Sequence, residues 1–135
     1  MILVVDASVI GHWLLTTRVP ISELPEHYVR GALLAAPHLL DAEVGHLLRR
    51  HVLTGVARLA RARIALETFL ALPIERYPHA TLLPRAFDLR DNATVYDALY
   101  LVLAEALQAP LLTRDRRLAR VPGVAAQVRV VGNGA

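Results

Sequence analysis

Four acidic residues stand where a carboxylate is awkward: Asp6, Glu43, Asp97 and Asp115. Asp6 closes the apolar run Ile2-Leu3-Val4-Val5, and Asp115 follows Leu111-Leu112-Thr113 after one intervening arginine. Glu43 lies beside Val44 and one helical turn from Leu40 and Leu47, while Asp97 opens the almost wholly apolar segment Ala98 to Leu107. A charge beside a buried segment is costly unless something compensates it. One divalent cation held by all four would do so, and a cation held by carboxylates is the usual means of hydrolysing a phosphodiester.

Two hydroxyls accompany the acids: Ser8 in Asp6-Ala7-Ser8, and Thr113 in Thr113-Arg114-Asp115. Such groups hydrogen-bond carboxylates or the waters of a metal and so fix ligand orientation, although both positions also suit ordinary turn residues. An acidic pocket repels RNA, so cations must help to hold a nucleic-acid backbone. Arg114, Arg116, Arg117 and Arg120 flank Asp115 and are the candidates for phosphate contacts. A solvated basic helix is the plain alternative.

The bulk numbers bound these readings. A chain of 135 residues, 55% hydrophobic, suits one domain spanning residues 1–135 with a generous core. The net charge of +3 permits a polyanionic partner without demanding one. No uncharged stretch, Gly31 to Leu40 included, is long enough to span a bilayer, and no basic region precedes the first apolar run. A cytoplasmic protein without membrane attachment is therefore expected. Cysteine is absent, which excludes thiolate metal sites; lysine is absent too, which excludes Walker, Schiff-base and receiver-domain chemistry. His46 and His51 are five apart, the wrong offset for a shared metal on one helix face, and His12, His27, His38 and His79 show no ligand spacing. All six read as structural or surface residues.

The elements that must position the acids follow from periodicity. Residues 2–5 read as a buried strand and 7–15 as a helix; Pro20 to Pro25 reads as a loop, with Ser22 capping a helix through about Leu33. Leu34 to Ala36 is a short strand. Positions 40, 44, 47, 48 and 52 give a helix from His38 to Leu53, stopped by Gly55, and the stripe 56, 59, 62, 66, 69 and 70 gives a second from Val56 to Leu70. A strand near Ile74, a helix from Ala80 to Arg90, a buried helix from Thr94 to Gln108, a strand at 110–113, a short helix at 116–120 and a strand at 128–131 complete the pattern. Short apolar strands alternating with helices indicate a parallel sheet covered on both faces.

In such a sheet, ligands gather beyond the carboxyl ends of the strands, near the point where strand order reverses. Asp6 and Asp115 follow strands directly, and Glu43 and Asp97 are expected in the first turns of helices that begin at the same edge. Each acid alone has a plain role open to it as a helix cap or as a partner of the helix dipole. Capping does not explain why all four fall at one edge.

Val4-Val5-Asp6-Ala7-Ser8, Ala36-Pro37-His38-Leu39-Leu40-Asp41-Ala42-Glu43-Val44, Tyr96-Asp97-Ala98-Leu99-Tyr100 and Pro110-Leu111-Leu112-Thr113-Arg114-Asp115-Arg116-Arg117-Leu118, in that order and spacing, resemble the PIN-domain family and its VapC-type toxins. The resemblance implies a three-layer α/β/α sandwich with a central parallel sheet, and Mg²⁺ or Mn²⁺ in an acidic pocket. It further implies endoribonuclease activity on single-stranded RNA and a small cognate antitoxin. By position, Asp6, Glu43, Asp97 and Asp115 match the family's acidic quartet as metal and catalytic residues, and Thr113 its hydroxyl position. Some members carry a further acid just after the last aspartate, where this chain has Arg116 and Arg117; tight binding of a second metal is not expected. An antitoxin arginine reaching into the acids, with an apolar helix laid along residues 38–70, would silence such an enzyme. Without it, the same patch is expected to form a homodimer. The alternative is a catalytically silent PIN-like module that binds RNA or protein.

Overall fold

The computed structural model describes residues 1–16 and 31–132. Five strands, β1 (Ile2–Val5), β2 (Leu33–Pro37), β3 (Ile74–Tyr77), β4 (Leu111–Thr113) and β5 (Val128–Val130), form one sheet in the order β3-β2-β1-β4-β5. Every pairing is parallel. The helices are α1 (Ala7–Thr16), α2 (Leu39–Leu53), α3 (Leu59–Ala71), α4 (Leu83–Asp88) and α5 (Val95–Leu107), with a 3₁₀ turn at Arg116–Arg120.

Strand side chains alternate between two cores. Leu3, Val5, Leu34, Ala36 and Leu112 face a cluster with Val9, Ile10, Leu40, Val44, Leu48 and Phe69 of α1, α2 and α3. Val4, Ala35 and Leu111 face the opposite way, onto Ala86 of α4 and Ala98 to Ala104 of α5. Both faces are covered, which is why β1 and β2, inside the sheet, are apolar at every position, while the edge strands β3 and β5 carry Glu75, Arg76 and Arg129. The result is the expected α/β/α sandwich. Among the described residues no helix is long and apolar enough to cross a membrane.

Several element limits differ from the sequence pattern. The loop expected at Pro20 to Pro25 and the helix expected from Ser22 lie outside the described residues, except at the helix's end, where Leu33 already belongs to β2. Helix α3 starts at Leu59: Gly55 takes φ +76°, Arg58 is extended, and Val56 is exposed. Its buried stripe is Ala62, Ala65 and Phe69, so Leu59, Leu66 and Leu70 of the expected stripe point outward. Small alanines let α3 lie close to its neighbours, and the larger leucines are left for another surface. Helix α4 is shorter than expected because Leu82 and Pro84 define its first turn.

The crossing of α1 over α2 depends on Gly11. A Cβ built there would lie 2.6 Å from Leu47 Cδ1 and 2.8 Å from Cδ2. Gly11→Ala should therefore cost about 1 kcal/mol net, since overpacking costs about 1–3 kcal/mol and the gain in helix propensity returns about 1. Urea denaturation checks this, and in a Leu47→Ala background the same substitution should cost much less.

Candidate active site

Strands β1, β2 and β3 progress to one side of the sheet, then the chain crosses back and lays β4 and β5 on the other. The order reverses between β1 and β4, the place at the carboxyl edge where ligands gather in such sheets. Asp6 leaves β1 and Asp115 leaves β4 at that point.

Asp6 is buried, with 7% of its surface exposed. Its Oδ1 accepts from Ser8 Oγ at 2.6 Å and from the Val9 amide at 3.2 Å, so it also caps α1; its Oδ2 accepts from Thr113 Oγ1. Ser8 Oγ in turn accepts from the Arg114 amide at 2.9 Å, and Thr113 Oγ1 from the Asp115 amide at 3.0 Å. Both hydroxyls singled out in the sequence thus meet on one carboxylate and tie the end of β1 to the end of β4. Burial pushes the Asp6 carboxyl above the ordinary range against the pull of these donors.

Glu43 lies in the second turn of α2, which begins at Leu39, and not in the first turn as expected. It is half-buried, and Tyr100 Oη of α5 donates to its Oε1 at 2.6 Å. Burial raises its pKa; the charges of Asp6 and Asp97 add to the rise, and the tyrosine bond opposes it. Asp97 lies in the first turn of α5, its amide donating to the Thr94 cap at 3.1 Å. Burial raises its pKa, Asp115 contributes in the same direction, and Arg117 opposes.

Asp115 caps the 3₁₀ turn through the Arg117 amide at 2.9 Å. The Arg117 guanidinium grips both its oxygens, Nη2 at 2.6 Å and Nε at 3.0 and 3.2 Å, and holds this carboxyl below the usual range. Of the four arginines proposed for phosphate contacts, Arg117 is therefore engaged with an acid, whereas Arg116 and Arg120 are exposed. Arg114 lies near enough to His12 to help depress that histidine's pKa, although burial is the larger cause.

The acids are linked electrostatically in a chain: Asp6 with Glu43, Glu43 with Asp97, Asp97 with Asp115. Among the described residues no three His, Cys, Asp or Glu side chains come close enough to hold one ion between them. A cage of four direct carboxylate ligands is thus not built in. Hard oxygen donors with mutual repulsion suit an ion such as Mg²⁺, which keeps several of its waters and is reached partly through them. On donor chemistry the residues fit.

The sequence reading gives Tyr100 no role and His79 only a structural one, without naming their partners. Tyr100, inside an apolar run, reads as core; its hydroxyl is the exception. His79 Nε2 accepts the Leu39 amide at 2.9 Å, satisfying a free N–H at the start of the helix that carries Glu43. A histidine without ligand spacing gives no signal for either role.

The fold and site define a protein of the PIN class. A family model described as PIN domain matches residues 3–124, and the chain belongs to that family. Among its relatives, Ribonuclease VapC1 of Mycobacterium tuberculosis is 52% identical over 97 residues, covering 71% of this chain and 73% of that protein. Ribonuclease VapC12 of the same organism is 35% identical over 129 residues, covering 96% and 98%. Among solved structures, a member of the VapBC family of toxin–antitoxin systems, VapBC-5 from M. tuberculosis, shares the fold with a TM-score of 0.60 at 23% identity, over 96% of this chain and 97% of that one.

Proposed function

We propose that this chain is a divalent-metal-dependent endoribonuclease that cuts single-stranded RNA in the cytoplasm as the toxin of a toxin–antitoxin pair. The observation that carries the reading is the buried Asp6 carboxylate at the sheet's switch point, bound by Ser8 and Thr113, with Glu43, Asp97 and Asp115 coupled to it in series. Relatives over most of the chain's length that are named ribonucleases support the same activity.

Asp6, Glu43, Asp97 and Asp115 would hold Mg²⁺ or Mn²⁺, some directly and the rest through its waters. When bound, the ion supplies Lewis-acid activation of the attacking water and offsets charge developing on the phosphate. The protein's own part is orientation. Ser8 and Thr113 donate their protons to Asp6, which with the Val9 amide leaves it one acceptor site, on Oδ2. Arg114, Arg116 and Arg120 stand beside the carboxyl edge for the phosphates of a bound strand, and Arg117 joins them when it leaves Asp115.

The partner surface lies on α2 and α3. A groove of about 330 Å³ runs between them, lined by Leu48, Val52, Leu53, Leu59 and Leu66 together with Arg49 and Arg63. Leu53, Val56, Ile64 and Leu70 are more than half exposed nearby. An apolar helix of the antitoxin would cover this face, and without it a second copy of the chain would do so.

The deciding assay incubates purified protein with labelled single- and double-stranded RNA in Mg²⁺, in Mn²⁺ and in EDTA. Cutting of the single strand that EDTA stops and Mg²⁺ restores is the expected result. Binding without cutting would leave a catalytically silent module instead. Light scattering of the free chain, then of the chain co-expressed with any small protein encoded beside its gene, tests the partner surface.

A further inference from the structure

Tyr100 occupies the middle of the most buried helix among the described residues. Between Ala98 and Ala104 every other side chain is apolar, and Tyr100 is itself 2% exposed. Packing alone would be met by phenylalanine. What tyrosine adds is one hydroxyl, and a buried phenol needs a partner. That partner is Glu43 Oε1, 2.6 Å away and 57 residues distant in sequence.

The bond joins the two helical layers of the sandwich. Helix α5 packs on one face of the sheet and α2 on the other, so the contact closes over the carboxyl edge where the acids collect. The acids differ in how firmly they are held. Asp6 has three donors, and Asp115 has a backbone amide and a guanidinium. Glu43 has the longest and most rotatable side chain of the four, and among the described residues Tyr100 is the group that donates to it. Without that hydroxyl its carboxylate would be free to turn about three side-chain bonds. Tyr100 also lies one turn beyond Asp97 on the same helix, so one face of α5 presents an acid and holds another.

We infer that Tyr100 is the positioning residue of the site: its hydroxyl pins Glu43 Oε1 and leaves Oε2 directed to the ion or its waters. The inference rests on the acid-site reading above and adds a residue to it. Oriented partners of metal-binding side chains are typically worth about 10–100-fold in metal affinity.

The test is a double-mutant cycle read by metal binding, without RNA present. Mn²⁺ affinity of the metal-free full-length chain is measured by electron paramagnetic resonance for wild type, Tyr100→Phe, Glu43→Gln and the double variant. Tyr100→Phe should weaken Mn²⁺ by about tenfold or more, with far-ultraviolet circular dichroism unchanged, and should have no further effect once Glu43 is Gln. In RNA cleavage it should lower kcat and leave KM for RNA near the wild-type value. Unchanged Mn²⁺ affinity in Tyr100→Phe, with Glu43→Gln clearly weakened, would overturn the role of Tyr100 while leaving the acid site standing. An equal loss from Tyr100→Phe in both backgrounds would reduce the residue to packing and overturn it as well. Wild-type affinity in Glu43→Gln would remove Glu43 from the site, and the inference with it.

Discussion

Asp6→Asn is expected to lower kcat/KM for RNA cleavage by about a hundredfold to a thousandfold, the scale seen when one group that stabilises transition-state charge is removed. The same variant, free of metal, should melt no lower than wild type. Both halves come from one local fact. Burial makes the Asp6 charge unfavourable in the empty site, and the surrounding donors only partly offset it. Asparagine keeps an acceptor for Ser8 and Val9, and its amide can donate to Thr113 Oγ1, which rotates to suit. The variant loses the charge that attracts the ion and keeps the shape that supports the sheet. Cleavage assays beside calorimetry in EDTA measure the two halves. A variant that retains wild-type cleavage would remove Asp6 from the mechanism.

The second large effect is a metal-controlled dependence of stability on pH. Asp6, Glu43 and Asp97 all have raised pKa values in the folded, metal-free chain. Between the ordinary carboxylate range, near 4, and those raised values, the folded state binds more protons than the unfolded one, so stability falls as pH rises. Asp115 runs the other way: its pKa is lowered, so its contribution is present above the unfolded value and is lost as pH falls through the folded one. Within the site three groups oppose one, but Glu105 and His12, both lowered, add to the Asp115 side; the decline from about pH 4 toward neutrality is therefore expected in the difference between the wild-type and Asp6→Asn melting temperatures in EDTA. Mg²⁺ at a hundred times its dissociation constant adds about 2.7 kcal/mol by mass action. That addition grows with pH because ligands must be deprotonated. Scanning calorimetry across this range, with and without millimolar Mg²⁺, should show the slope flattened or inverted by metal. Superimposable curves would count against a metal site.

Much of this arrangement was legible before any coordinates. Asp6 and Asp115 announce themselves because each ends a short apolar strand, and a parallel sheet then sends both to one edge. The adjacency of β1 and β4 was not legible: hydrophobic pattern fixes which segments are strands, whereas strand order depends on how the helices between them pack. Tyr100 hid for the opposite reason. In an apolar run a tyrosine looks like one more core residue, and only the chain crossing 57 residues away gives its hydroxyl a purpose. The outward face of α3 was misread because apolar content alone does not say which side of a helix meets the core. Small Ala62 and Ala65 went inside, and large Leu59, Leu66 and Leu70 stayed exposed.

The strand order also sets when the site can come into being. Strand β1 is made first, yet its neighbour β4 closes only when residues 111–113 arrive, and the Thr113 to Asp6 bond spans 107 positions. Contacts so distant in sequence form late, because the intervening chain must first be brought together. A ribosome that has not yet passed Thr113 therefore carries a chain with three of the five strands, an exposed β1 edge and an Asp6 without its Thr113 partner. The acidic edge is thus among the last parts of the sheet to be assembled.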